Sequence, residues 1–97
     1  MGKKIMSDNK HHQTHQDIVK RLKRAYGHLN SIIEMTQQER SCADIAQQLH
    51  AVEKAIGNAK KILIHDHINH CLAHSTETKS KDVAAMIEDF KTLTKYL

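Results

Sequence analysis

The sequence predicts an all-α subunit of three helices with a long central one, and three observations carry that prediction. Apolar residues recur at steps of three and four through three separate segments. Proline is absent, so nothing locks the backbone out of a helix within any of them. Two polar stretches, ERSCAD at 39–44 and STETKSK at 75–81, interrupt the periodicity and divide the helices.

The first periodic segment runs from Asp17 to about Gln38 and carries Ile18, Leu22, Ala25, Leu29, Ile32 and Ile33 on its core side. Ser41 then offers a hydroxyl to cap a new helix, and Asp44 three residues later suits the positive end of the helix dipole. The second helix is predicted from Cys42 to about Ala73, about 46 Å at 1.5 Å per residue. Its apolar seam, Ile45, Leu49, Val52, Ile56, Ala59 and Leu63, has the heptad spacing that packs one long helix on another. Gly57 within it is a tolerable weakness. Val83, Met86, Ile87, Phe90, Leu93 and Leu97 mark a third, shorter helix. Residues 1–15 read as a flexible leader containing histidines, and 16–97 as a single helical domain.

A chain of 97 residues with one Phe and two Tyr stands near the lower limit for a self-sufficient core. So long a central helix would leave apolar surface exposed in a lone subunit, which points to a bundle of several chains. Lys and Arg total 15 against 11 for Asp and Glu, and the net charge of +4 suits an anionic partner without requiring one. No apolar run approaches a membrane span, and the leader has no apolar segment for secretion. A cytoplasmic protein is expected, with Cys42 and Cys71 present as thiols. No nucleophile and base stand together, so an enzyme is not expected.

The stretch HDHINHCLAH, residues 65–74, packs four histidines and a cysteine into ten positions. At about 100° per residue His67, His70, Cys71 and His74 fall within one arc of the helix, while His65 points elsewhere. His67 and Cys71, four apart, can grip one metal ion. Cys42 lies twenty-five residues before His67, about 37 Å along a straight helix, so one chain cannot close a site from all three. Two copies of the helix packed antiparallel can, with Cys42 of one facing His67 and Cys71 of the other. The pairing centre then falls near Ala55 and Ile56, where Ala51, Ala55, Gly57 and Ala59 allow close approach. Two thiolates and one imidazole suit Cu(I), and added N or O donors suit Ni(II), Co(II) or Zn(II). His11, His12, His15 and His70 are the candidate additional donors.

The segment VKRLKRAYGHL, residues 19–29, sets Arg21, Arg24 and His28 on one side of the first helix, with Leu22, Ala25 and Leu29 turned to the core. Lys20 and Lys23 lie in the same run, and Lys54, Lys60 and Lys61 add charge on the second helix. Such faces multiplied in an oligomer could contact DNA phosphates, although from charge alone a solvated polar face is the better reading. No helix-turn-helix is visible.

With Cys42, His67 and Cys71 on the long helix and KRLKRAYGHL ahead of them, the sequence resembles the CsoR/RcnR family of bacterial metal-sensing transcriptional repressors over about residues 15 to 95. The elements that carry the resemblance are the Cys, twenty-four residues, His, three residues, Cys spacing and the basic segment before Gly27. The resemblance implies an antiparallel homodimer that assembles into a disc-shaped homotetramer, binds double-stranded operator DNA when metal-free and releases it when metal binds across the dimer interface. It assigns the metal to Cys42, His67 and Cys71, and DNA contact to Arg21 and Arg24, to which Lys20 and Lys61 are joined by position. Two departures stand out: Ser41 replaces the tyrosine that often precedes the first cysteine in copper sensors, and His28 replaces a glutamine. AQQLHAVEKAIGNAKKILIHDHINHCL, residues 46–72, looks like the nickel and cobalt branch, so the expected inducer is Ni(II) or Co(II), with Cu(I) next. The regulated genes would serve metal efflux or detoxification. The alternatives are a small metal carrier or store that does not bind DNA, and a repressor of the same fold that answers to sulfur species or aldehydes.

Overall fold

The structure, a computed structural model, describes the backbone over residues 2–73 and 80–97, and side chains over 13–73 and 83–97. The described residues form three helices: α1 (Gly2–Gln37), α2 (Cys42–Ala73) and α3 (Ser80–Thr94). The helix order, the central helix and its limits agree with the sequence-based expectation. α1 begins at Gly2, so the backbone is helical over residues 2–15 of the segment expected as a leader over 1–15. Nothing between Gly2 and Asp17 breaks a helix, since the stretch contains no proline and no internal glycine. The apolar periodicity that begins at Ile18 therefore marks where α1 starts to pack, not where it starts to wind.

Both ends of the α1–α2 connection have clear chemical causes. Arg40 N–H donates to Met35 O at 3.0 Å and Glu39 N–H to Thr36 O at 3.1 Å, the paired bonds of a Schellman motif. Glu39 takes the left-handed position with φ 57°, a place where glycine is the usual occupant. At the start of α2, the Ser41 hydroxyl oxygen accepts the Asp44 N–H at 3.1 Å, as the capping expectation required.

So short a connection folds α1 and α2 into an antiparallel hairpin. His28 Nε2 and Gln48 Oε1, 2.6 Å apart, set its register. In that register Ala25 stands about level with Val52, and Ile18 with Ala59. These four residues, with Ile32 and Ile64, are the buried apolar side chains among the described residues. His28 therefore turns towards α2, and not to the basic side on which the sequence placed it. Leu22 and Leu29, expected in the core, are 46% and 41% exposed. The α2 seam divides in the same way: Val52 and Ala59 are buried, whereas Leu49, Ile56 and Leu63 form an exposed row at seven-residue spacing. One helix facing one neighbour covers only a narrow ridge of each apolar stripe, so the rest of the stripe stays open. Ala59, one of the small residues expected to ease pairing of two copies, is thus already covered within the hairpin.

The chain is flat, 58 × 30 × 14 Å, with a radius of gyration of 18.4 Å. A compact chain of this length would have about 13 Å. α3 leaves the hairpin and packs on the last turns of α2, where Val83, Met86, Ile87 and Phe90 face Ile68 and Leu72 across a groove of about 270 Å³. Among the described residues no helix is long and apolar enough to cross a membrane.

Candidate metal centre

α2 positions the site by its pitch: His67 and Cys71, four residues apart, rise from one face of its last turns. α3 brings a third group that sequence reasoning missed. His67 Nε2–H donates to Asp89 Oδ2, an acceptor-only carboxylate fixing which atom carries the proton. One ligand atom from each of His67, Cys71 and Asp89 lies within 4.8 Å of the others. Asp89 could not be found by spacing, because it is separated from His67 by a chain reversal between α2 and α3. The one sign in the sequence is that Asp89 falls in the polar part of a helix whose apolar side must return to α2.

Cys71 is half-buried against the α2–α3 groove. Burial pushes its thiol above the ordinary value, and the negative charge of Asp89 adds to the effect. Both causes favour the protonated thiol, so holding a cation there requires displacement of that proton. The donor set fits a transition metal ion, with nitrogen, sulfur and oxygen converging from two helices. Edges of a tetrahedral site with bonds of 2.0–2.3 Å are about 3.5 Å, so closing this group asks for movements of about 1 Å.

The other expected ligands are placed differently. Cys42 is exposed in the first turn of α2, at the far end of an uninterrupted helix from His67. Within one chain it does not join His67 and Cys71. His70 is half-buried one position from Cys71 but outside the group of three. His15 is exposed on α1, and the hairpin register sets it about level with Ile62, some 8 Å along the axis from the level of His67. The side chains of His11 and His12, and all of His74, lie outside the described residues.

Lys20, Arg21, Arg24 and Lys61 are all exposed, as a phosphate-contacting face requires. Arg21 Nε donates to Asp17 Oδ2 at 2.8 Å, one turn earlier on α1. Both side chains are about half exposed, so solvent screens the pair and it yields easily to another anion.

Comparison with known proteins identifies the family. The family described as "Metal-sensitive transcriptional repressor" matches residues 14–95. The copper-sensing transcriptional repressor CsoR of Bacillus subtilis (strain 168) is 34% identical over 80 residues, covering 80% of this chain and 79% of that protein. The protein of the same name from Mycobacterium ulcerans (strain Agy99) is 38% identical over 53 residues, covering 55% of this chain and 45% of that protein. The solved structure of the nickel-responsive transcriptional regulator InrS superposes with a TM-score of 0.72 at 25% identity, covering 84% of this chain and 91% of that one. The likeness to InrS includes the three-helix fold, and the family is one of regulators and not of enzymes. The chain belongs to the metal-sensitive transcriptional repressor family.

Proposed function

We propose that the chain represses transcription by binding operator DNA when metal-free, and that it releases the DNA on taking up Ni(II) or Co(II), with Cu(I) the next candidate. The genes under its control would serve metal efflux or detoxification, and it would act in the cytoplasm. The observation that carries this reading is the distribution of donors along α2: His67 and Cys71 beside Asp89 at one end, Cys42 exposed at the other.

Two copies of α2 crossing antiparallel near Ala55 and Ile56 would bring Cys42 of one chain to His67 and Cys71 of the second. The row of Leu49, Ile56 and Leu63 supports such a crossing, because the hairpin leaves 46%, 46% and 40% of these residues exposed. The likeness to a nickel-responsive regulator favours a borderline divalent ion over Cu(I). The Cys, His, Cys spacing and the likeness to CsoR favour copper. His11 and His12 are proposed as further donors from the same end of α1, and His70 as one from the next position on α2. A bound ion would supply a strong bond between elements that otherwise meet through apolar contact, and the basic faces of α1 and α2 would shift with them. In the DNA-bound form Arg21 would exchange Asp17 for a phosphate, with Lys20, Arg24 and Lys61 alongside.

A hundredfold loss of DNA affinity needs a coupling of about 2.7 kcal/mol between the two sites. Fluorescence anisotropy on DNA from upstream of its own gene, with and without Ni(II), Co(II) and anaerobic Cu(I), tests the reading. The Cys42→Ala protein should bind that DNA with unchanged affinity and no longer let go when metal is added. Metal binding without any DNA binding at low salt would overturn the repressor reading in favour of a carrier. DNA binding that no ion reverses would redirect it to sulfur or aldehyde inducers.

A further inference from the structure

We propose that Gly27 is a seat for the DNA backbone: the bare helix surface at Gly27, with Lys23 and Arg24 on one side of it and Ser31 on the other, takes a backbone phosphate in close approach. The proposal rests on reading the chain as a DNA-binding repressor, and it adds Lys23, Gly27 and Ser31 to the face drawn from Lys20, Arg21 and Arg24.

Nothing inside the chain calls for a glycine at this place. Gly27 lies in the interior of α1, where glycine is among the poorest helix formers. Among the described residues no glycine takes a positive φ, so the backbone does not need one here. A Cβ on Gly27 would meet no packed neighbour within 4 Å, so α2 does not need the room either. Alanine would therefore fit and would strengthen the helix. The use that remains for a glycine is to let another backbone come close from outside the chain.

The side chains round the gap indicate what comes. At about 100° per residue Gly27 stands nearly opposite the buried ridge of Ile18, Ala25 and Ile32, so it faces outward. Lys23 and Arg24, four and three residues earlier, and Ser31, four later, border it on that surface. Lys20 stands one turn further back, Glu34 closes the face two turns on, and all of these residues are exposed. A second copy presenting the same cations would be repelled. The exposed apolar row that suits a second copy, Val19, Leu22, Tyr26, Leu29 and Ile33, lies about a third of a turn round the helix. A polyanion fits the cationic face instead.

Ser31 supplies a neutral donor beside the cations. Its hydroxyl donates to the Gly27 carbonyl oxygen at 3.3 Å, a long bond lying along the bare surface. Turning that hydroxyl to a phosphate oxygen leaves the carbonyl with its ordinary helical partner, so the exchange strands no backbone group. The phosphate then receives charge-assisted bonds from Lys23 and Arg24 as well, and its closeness to α1 strengthens the pull of Lys20.

The test compares Gly27→Ala and Gly27→Leu with wild type in the metal-free, full-length protein, by fluorescence anisotropy on duplex DNA from upstream of its own gene. Urea unfolding and sedimentation velocity accompany it. Alanine and leucine are both good helix formers, so the urea midpoint should rise in both variants. DNA affinity should nevertheless fall about tenfold with alanine, as for one charge-assisted contact withdrawn, and further with leucine, whose side chain blocks more. Lys23→Ala should lower the slope of log affinity against log salt by about 0.9, whereas Ser31→Ala should weaken binding about threefold and leave the slope alone. An affinity unchanged by Gly27→Ala overturns the proposal. Equal losses with alanine and leucine overturn it too, because they trace the effect to a stiffer α1 and not to crowding of the phosphate. A shift of Gly27→Ala to smaller species in sedimentation would put a second copy on this face in place of DNA. These outcomes leave the repressor reading standing, whereas wild-type protein that does not bind the duplex at low salt sinks that reading and the Gly27 seat together.

Discussion

Replacing Ile56 with lysine separates the packing inside the hairpin from the packing between chains. Ile56 is 46% exposed at the middle of the Leu49, Ile56, Leu63 row, and it stands at the proposed crossing point of two α2 helices. Full burial of such a side chain contributes about 2 kcal/mol, so covering its exposed half is worth about 1 kcal/mol per chain. Both copies change together across a two-fold axis, which makes about 2 kcal/mol of forfeited burial per pair and about a thirtyfold rise in the dissociation constant. Two ammonium groups facing each other near the axis add to that figure. Lysine is a good helix former, so α2 itself should be undisturbed. Sedimentation velocity over a micromolar concentration series would show the shift towards smaller species, and far-ultraviolet circular dichroism at high protein concentration would show unchanged helix content. If association is the same as in wild type, the exposed row is not the pairing face, and Cys42 cannot reach a second chain's Cys71 in the way proposed.

Glu39→Gly removes a side chain from the left-handed position after α1 and should stabilise the protein by about 0.5 to 1 kcal/mol, read from urea unfolding at fixed protein concentration; a loss of stability would mean that Glu39 makes interactions that outweigh its backbone strain. Arg24→Ala should weaken operator binding alike for different sequences and reduce the slope of log affinity against log salt by about 0.9 for each phosphate that is no longer neutralised, whereas an unchanged slope would remove Arg24 from the DNA face. In a Cys42→Ala background, Asp89→Asn withdraws the negative charge that helps to hold the Cys71 thiol above its ordinary value, while burial remains. The midpoint of the pH–rate profile for alkylation of Cys71 should therefore move down, so that at a fixed pH below it the thiol reacts faster; a midpoint that stays put would mean that Asp89 exerts no field on the sulfur.

The sequence by itself determined the helices and most of their limits. Local rules suffice for those: periodic apolar residues, the Ser41 cap with Asp44 behind it, and the absence of proline place α2 at Cys42–Ala73. The His67 and Cys71 pair was equally legible, because four residues on a helix always share a face. Only the tertiary structure decided which parts of the apolar stripes are covered. Leu22, Leu29, Leu49 and Ile56 carry the same periodic signal as Ala25 and Val52, and the width of one helix–helix contact alone separates the buried from the exposed. His28 likewise passed for a member of the basic face until the hairpin register set it against Gln48. Asp89 was out of reach for a related reason. Its place beside His67 and Cys71 depends on how α3 turns back on α2, a long-range choice made by the fit of Val83, Met86 and Phe90 into the groove and not by any local spacing.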